Sequence, residues 1–260
     1  MMKDFKGDVA FVTGAAAGLG RAIAIDLALS GAQVWGIDID EAGLQSLETQ
    51  AHDLGIEIQT DKCDISDLVQ VKSSFLSMKE RFGANTILVT AAGIGLYVDF
   101  VEMTDQEMRK IIDVNFIGSI YCAQASIPLM RSQGGGKIVF VSSIQAQLSL
   151  QGCVVYAAQK AALNSAARTL VLEVGGDNIR VNTVSPGTID TPMLRRDLAG
   201  MNTEESSQFL KKVEGANVIG TIGTPQQVAD VVHYLVSEKS TYVTGTDIVV
   251  DGGFSVLKKF

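Results

Sequence analysis

Short apolar runs recur along the chain, each followed by a stretch whose apolar residues fall at helical spacing. Residues 8–13 (Asp-Val-Ala-Phe-Val-Thr) read as a buried strand, a glycine-rich turn follows, and residues 21–29 read as a helix ended by Ser30 and Gly31. Further strands are expected at 33–37, 56–60, 86–89, 137–141, 178–184 and 247–250. Helices are expected after Asp64, with Ser66 as cap, over 105–130, from Tyr156 to about Val174, and over 225–236. The polar, methionine-containing stretch 188–217 reads as an irregular, mobile flap. Strand runs that are apolar throughout, alternating with helices, imply a parallel sheet covered on both faces. The expected fold is therefore α/β: a Rossmann-type, doubly wound parallel sheet in a single domain spanning residues 1–260, with a substrate flap. No repeat, linker or low-complexity segment interrupts it.

Composition narrows the class. The 260 residues are 47% hydrophobic and include 26 glycines, which suits one large, turn-rich core. A net charge of −8 disfavours a nucleic-acid partner. No apolar run approaches the ~20 residues that span a bilayer, and residues 1–6 lead directly into the first strand without a signal-peptide pattern. Cys63, Cys122 and Cys153 are scattered without metal spacing and read as reduced packing residues, so a cytoplasmic protein without a metal is expected. His52 and His233 are the only histidines, which disfavours histidine-based hydrolysis.

Two patterns carry chemistry. The first is Gly14-x-x-x-Gly18-x-Gly20 between the first strand and the first helix. Glycines let the backbone approach a pyrophosphate, and the helix N-terminus offers free N–H groups. Asp38 ends the second strand 18 residues past Gly20, where a dinucleotide fold places a ribose-binding carboxylate. That acid would repel a 2′-phosphate, and neither Ile39 nor Ala17 supplies a compensating cation, so NAD is the expected cofactor. Asp40 and Glu41 read as solvated turn acids. The second pattern is Tyr156-x-x-x-Lys160. Positions i and i+4 share a helix face, so the lysine can stand near the phenol and lower its pKa, making it a general acid/base near neutral pH.

Taken together with Ala91-Ala92-Gly93, Asn115, Ser143, Asn182 and Pro186-Gly187, the chain resembles the single-domain short-chain dehydrogenases/reductases over nearly its whole length. Thr90 stands where that family places asparagine. The resemblance implies that Tyr156 is the acid/base and that Lys160 lowers its pKa and holds the nicotinamide ribose. It also implies that Ser143, thirteen residues before the tyrosine, binds the reacting oxygen. Asn115 would break helix bonding locally and hold a water in a proton relay. Asp64 would meet the adenine edge, and residues 186–191 would bind the nicotinamide carboxamide, chiefly through Ile189 and Thr191. The implied cofactor set also takes in Ala17, Leu19, Ile65, Ala91, Ala92, Gly93, Pro186 and Gly187. The family habit of pairing the long helix and the Tyr156 helix implies a homotetramer.

For the substrate, the segment after Ser143 is rich in amides and hydroxyls: Gln145, Gln147, Ser149. Such a wall suits a sugar or polyol better than a steroid or a long acyl chain. Arg195 and Arg196 in the flap could pair with an anionic group, so a sugar acid is also expected. Two alternatives stand beside an NAD-dependent sugar or polyol dehydrogenase. One is a 3-oxoacyl thioester or other ketone reductase; the other is a non-catalytic dinucleotide-binding regulator.

Overall fold

Strands and helices alternate through the computed structural model, which describes residues 4–148, 150–200 and 202–256. The order is β1 (Val9–Thr13), α1 (Gly18–Leu29), β2 (Gln33–Asp38), α2 (Glu41–Asp53), β3 (Ile58–Lys62), α3 (Leu68–Phe82), β4 (Ile87–Thr90) and α4 (Asp105–Ile112). Then follow α5 (Gly118–Ser132), β5 (Gly136–Val141), α6 (Val154–Val174), β6 (Ile179–Pro186), α7 (Pro192–Ala199), α8 (Thr203–Glu214), α9 (Pro225–Val236) and β7 (Asp247–Val250). All seven strands are parallel, in the order β3-β2-β1-β4-β5-β6-β7. The order reverses between β1 and β4, and such a switch point opens a crevice at the carboxyl ends of the strands.

The lack of alternation in the strands has its cause in two cores. Ala10 and Val12 of β1 face the side packed by α1, α2 and α9, with Leu27, Leu47 and Val232. Val9 and Phe11 face the side packed by α3, α5 and α6, with Phe75, Met130 and Leu163. Phe11 and Phe75 stack with ring centroids 3.9 Å apart. A strand buried on both faces has no polar side to show, so it reads as a continuous apolar run.

Several local expectations are corrected. Residues 41–53 form a helix, and Asp40 is its cap: its Oδ1 accepts from the Gly43 N–H at 3.1 Å. Asp67, not Ser66, caps α3, accepting from Val69 N–H at 2.8 Å. Ser66 instead donates its hydroxyl to Asp64 at 2.7 Å. The long helix is interrupted at Asn115, as the resemblance implied, by π-type bonding over Asp113–Ile117 between α4 and α5. The flap is not irregular but carries α7 and α8. Their starts are built by Thr191, which caps α7 ahead of Pro192, and by an Asn202/Glu205 capping box.

Candidate active site

The expected dinucleotide residues gather at the carboxyl edge of the sheet: Gly14 after β1, Asp38 at the end of β2, Ala91 to Gly93 after β4, and Pro186 at the end of β6. Gly14 has φ +72°, and a Cβ there would lie 2.8 Å from the Ala92 backbone. A Cβ on Gly20 would overlap the Gly14 carbonyl oxygen. Gly14 is therefore required by contact as well as by conformation, and Gly20 by contact. Ala17 at the N-cap of α1 makes no side-chain cap, which leaves the first-turn N–H groups facing the crevice for an anion. The Asp38 carboxylate is fixed at both oxygens, accepting from Ala16 N–H at 3.1 Å and from Asp40 N–H at 3.0 Å. A tight glycine turn, an uncapped helix start and an oriented carboxylate at the next strand end fit a nicotinamide dinucleotide.

Other members of the expected set serve the scaffold with their side chains. Asp64 accepts from both the backbone and hydroxyl of Ser66, at 2.9 and 2.7 Å. Ile65 is buried against Gly118 at the start of α5, so close that a Cβ on Gly118 would lie 2.7 Å from its Cγ1. Ile189 is buried against Gly223. Leu19 and Ala91 pack on the first core. Gly187 lies so close to Asp251 that a Cβ would stand 2.8 Å from the Asp251 Cβ. Ala92 accepts no such burden; its N–H donates to Thr13 Oγ1 at 3.0 Å. Thr90 is buried, and its hydroxyl has no partner among the described residues.

The catalytic candidates converge from three elements. Tyr156 and Lys160 lie one turn apart on α6, with the Lys160 Nζ 5.7 Å from the Tyr156 ring centroid. Ser143 follows β5, near enough to the Tyr156 phenol to act on its titration, and its hydroxyl accepts from Gln145 N–H at 3.2 Å. Lys160 donates to the Val141 carbonyl at 2.8 Å, and the neighbouring Ser142 hydroxyl donates to the Lys160 carbonyl at 2.9 Å. Asn115 sits in the π-type turn. Its amide donates to the Ile94 carbonyl and its oxygen accepts from the Ile94 N–H, both at 2.8 Å. Gly93 lies between the groups: a Cβ there would be 3.3 Å from Asn115 Oδ1 and 3.9 Å from Lys160 Nζ.

Electrostatics depart from the sequence expectation. Lys160 was expected to lower the tyrosine, yet burial pushes Tyr156 up to about 12, opposed by the neighbouring Ser143 hydroxyl. Burial likewise pulls Lys160 down to about 8. Tyr156 is half-buried, and the protein packed around it desolvates the phenol and disfavours the phenolate. The lysine charge stands beyond the ring and is spent partly on Val141, so burial outweighs it.

The polar wall also points elsewhere than expected. Gln145 Oε1 accepts from Leu150 N–H at 3.2 Å and closes its own loop. Gln147 donates to Asp247 at 3.0 Å. Asp247, which sequence reading passed over, also accepts from Asn164 at 3.0 Å, Thr183 at 2.9 Å and Ser185 at 2.8 Å, tying β6, β7, α6 and the loop together. Ser149 lies outside the described residues. Arg195 forms a two-pronged pair with Asp190, both bonds 3.0 Å, and both Arg195 and Arg196 are exposed. The guanidinium expected on a substrate anion is engaged by its own helix start. The residue that α7 lays against the loop after β4 is Met193, whose Sδ lies 3.4 Å from where a Cβ on Gly95 would stand. No sequence motif marks it, because the helix that carries it was not expected.

No cluster of three or more metal-type side chains occurs among the described residues, and no helix among them is long and apolar enough to cross a membrane.

A parallel sheet of this order, with a glycine turn for pyrophosphate and a tyrosine, serine and lysine brought together at its carboxyl edge, defines a nicotinamide-dinucleotide oxidoreductase. The chain belongs to the short-chain dehydrogenase/reductase family. The family model described as enoyl-(acyl carrier protein) reductase matches residues 14–255. A tropinone reductase homologue of Arabidopsis thaliana is 34% identical over 252 residues, covering 96% of this chain and 92% of that one. A 3-oxoacyl-(acyl-carrier-protein) reductase of Thermotoga maritima is 34% identical over 252 residues, covering 96% of this chain and 99% of that one. The ligand-free structure of an aldohexose dehydrogenase from Thermoplasma acidophilum superposes with a TM-score of 0.90 at 30% identity, covering 100% of this chain and 98% of that one.

Proposed function

We propose that this protein is an NAD-dependent dehydrogenase that oxidises a secondary alcohol or hemiacetal of a neutral sugar or polyol. The observation that carries the reaction is the placing of Tyr156 and Lys160 one turn apart on α6, with the Lys160 Nζ 5.7 Å from the ring centroid, beside Ser143 at the end of β5. The bound dinucleotide supplies the hydride acceptor. Ser143 holds the substrate oxygen, and Tyr156 takes the hydroxyl proton as hydride leaves the same carbon. Lys160 supports the nicotinamide ribose, and Asn115, with Ile94, fixes the loop below. Gly14, Gly18 and Gly20 admit the pyrophosphate. Asp38, oriented by two backbone amides, accepts from the adenosine ribose and repels a 2′-phosphate. Arg195 is paired with Asp190, so the sugar-acid form of the reading rests on Arg196 alone. A mobile flap formed by α7 and α8 would close over the substrate.

A second reading has an observation of its own. A phenol held at about 12 is protonated in neutral solution and ready to give its proton to a carbonyl, which is the reductive direction. A 3-oxoacyl thioester or another ketone is then the substrate, as the name of the Thermotoga relative suggests. A non-catalytic regulator is the weakest reading, because regulation needs no intact Ser143, Tyr156, Lys160 and Asn115. One screen separates these. Neutral sugars, polyols, their aldonates and 3-oxoacyl thioesters are assayed at 340 nm with NAD(H) and with NADP(H). NADH production from neutral sugars or polyols is the expected result; thioester reduction with NADPH alone would replace the first reading by the second. Tyr156→Phe should abolish turnover in either direction while dinucleotide binding, followed by quenching of protein fluorescence, persists. Turnover near the parent's would remove Tyr156 from the chemistry.

A further inference from the structure

Strand β7 opens on an acid, although Ile248, Val249 and Val250 follow it and strands disfavour aspartate. Asp247 is half-buried, and four side chains donate to its carboxylate. Gln147 Nε2 and Asn164 Nδ2 each reach Oδ2 at 3.0 Å. Thr183 reaches Oδ1 at 2.9 Å, and Ser185 reaches both oxygens, at 2.8 and 2.9 Å. Every donor belongs to a part of the chain that also carries the site. Gln147 lies four residues past Ser143. Asn164 lies one turn past Lys160 and two past Tyr156 on α6, and Thr183 and Ser185 lead along β6 to Pro186. An acid on an edge strand can serve to deter pairing with another strand, but that service needs no donors converging from three elements.

The bond to Gln147 is the one that bears on Ser143. The Ser143 hydroxyl accepts from Gln145 N–H, and among the described residues the other hydrogen bonds of 144–148 run within 143–150. The Gln147–Asp247 bond is therefore the one hydrogen bond that holds this turn against another element. We propose that Asp247 is a positioning residue. Through Gln147 and Asn164 it keeps the turn that carries Ser143 in register with the face of α6 that carries Tyr156 and Lys160. The proposal rests on the reading in which Ser143 and Tyr156 address one substrate oxygen. Two hydroxyls on separate elements meet that oxygen only if the elements are fixed against each other, and a displacement of about 1 Å can cost a hundredfold in rate.

The test uses the full-length protein with Gln147→Ala, Gln147→Lys, Asp247→Val and the Gln147→Ala/Asp247→Val double variant. Gln147 is exposed, so its variants leave the core intact even if Asp247→Val fails to fold. Hydrogen exchange at the amides of 144–148 reads the tether without any substrate. It should quicken about tenfold or more in Gln147→Ala and return toward the parent in Gln147→Lys, whose ammonium restores a donor to the carboxylate. Turnover is read with glucose and NAD and with acetoacetyl-coenzyme A and NADPH, on whichever pair the parent uses. In Gln147→Ala kcat should fall about ten- to a hundredfold while KM and dinucleotide Kd hold, and Gln147→Lys should recover most of the loss. The double variant should fall no further than Asp247→Val alone, because both changes cut one tether. Exchange unchanged in Gln147→Ala overturns the proposal whatever the substrate. Quicker exchange with the parent's kcat also overturns it and leaves Asp247 a support of the sheet edge. A rise in KM at constant kcat overturns it by making Gln147 a substrate contact. If the parent turns over neither pair, or Tyr156→Phe matches the parent, the underlying catalytic reading fails and the positioning role falls with it.

Discussion

Lys160 sits in an environment that costs the fold stability. Its ammonium is buried with a single hydrogen bond, to the Val141 carbonyl, and its pKa drops to about 8 from 10.5. Below pH 8 the lysine is charged in both folded and unfolded chains, and the whole desolvation cost is present. Between about 8 and 10.5 the unfolded chain binds more protons, so stability rises with pH there. Lys160→Met removes this dependence. The difference in unfolding free energy between parent and variant should move toward the parent by about 2–3 kcal/mol from pH 7 to pH 10. Urea titrations at the two pH values check this; parallel pH profiles would mean that the lysine is solvated. The Tyr156 and Lys160 pairing was legible because positions i and i+4 share a face wherever a helix forms, whereas Ser143 and Asn115 were singled out through the family resemblance. The substrate residues were not. A string of amides after Ser143 says that the loop is polar, not where each amide points, and Gln145 and Gln147 satisfy the loop and Asp247 instead. Arg195 illustrates the same limit, since Asp190 five residues earlier was an equally available partner.

The element that ties the site to the scaffold is the π-type turn Asp113–Ile117. One extra residue in the helical ladder re-aims Asn115 across to the Ile94 backbone, where it satisfies both an N–H and a carbonyl. Asn115→Leu would leave both unpaired in a buried place, each costing about 1–3 kcal/mol. The sum should appear as a loss of about 2–6 kcal/mol in urea unfolding, together with a fall in kcat as the loop beside Gly93 loosens. An unchanged midpoint would show that water takes over both bonds. That the helix around Asn115 is broken followed from resemblance, since no residue pattern in 113–117 announces a π turn. The helices of the flap were legible in part. Asn202 and Glu205 have the spacing of a capping box, and Thr191-Pro192 is a helix start. Their low apolar content hid them, because a helix lying on the surface over a site lacks the wide apolar stripe that marks a core helix.

At the scale of the whole molecule, the strand and helix alternation was enough for the sheet's parallel sense, because a chain that enters a helix after each strand must return to the same end. Seven strands with charge kept to the surface leave one feature unbalanced. Helix α6 buries Val155, Leu163 and Ala167 against its own sheet, yet Ala158, Ala162, Ser165, Thr169 and Leu172 form a second stripe at spacings of four, three, four and three. Leu172 is 84% exposed and Val154, at the start of the helix, 52%. The stripe carries no charge, and small residues let another helix approach closely. An uncharged stripe on a helix whose opposite side is already buried calls for cover from outside the chain, and a two-fold axis lets the stripe cover itself. The protein should therefore be a homo-oligomer, a tetramer if a second two-fold face forms as the family habit implies. Ala162 lies near the middle of the stripe and only partly exposed, so Ala162→Arg places a charge where the two copies of α6 would meet, with little reason to disturb the monomer's own core. Light scattering coupled to gel filtration at micromolar concentration should give a multiple of 27.6 kDa for the parent and a smaller particle for the variant, with circular dichroism unchanged. A parent that elutes as a monomer would remove the interface. A variant that keeps the parent's mass would move the interface off α6, to another exposed face.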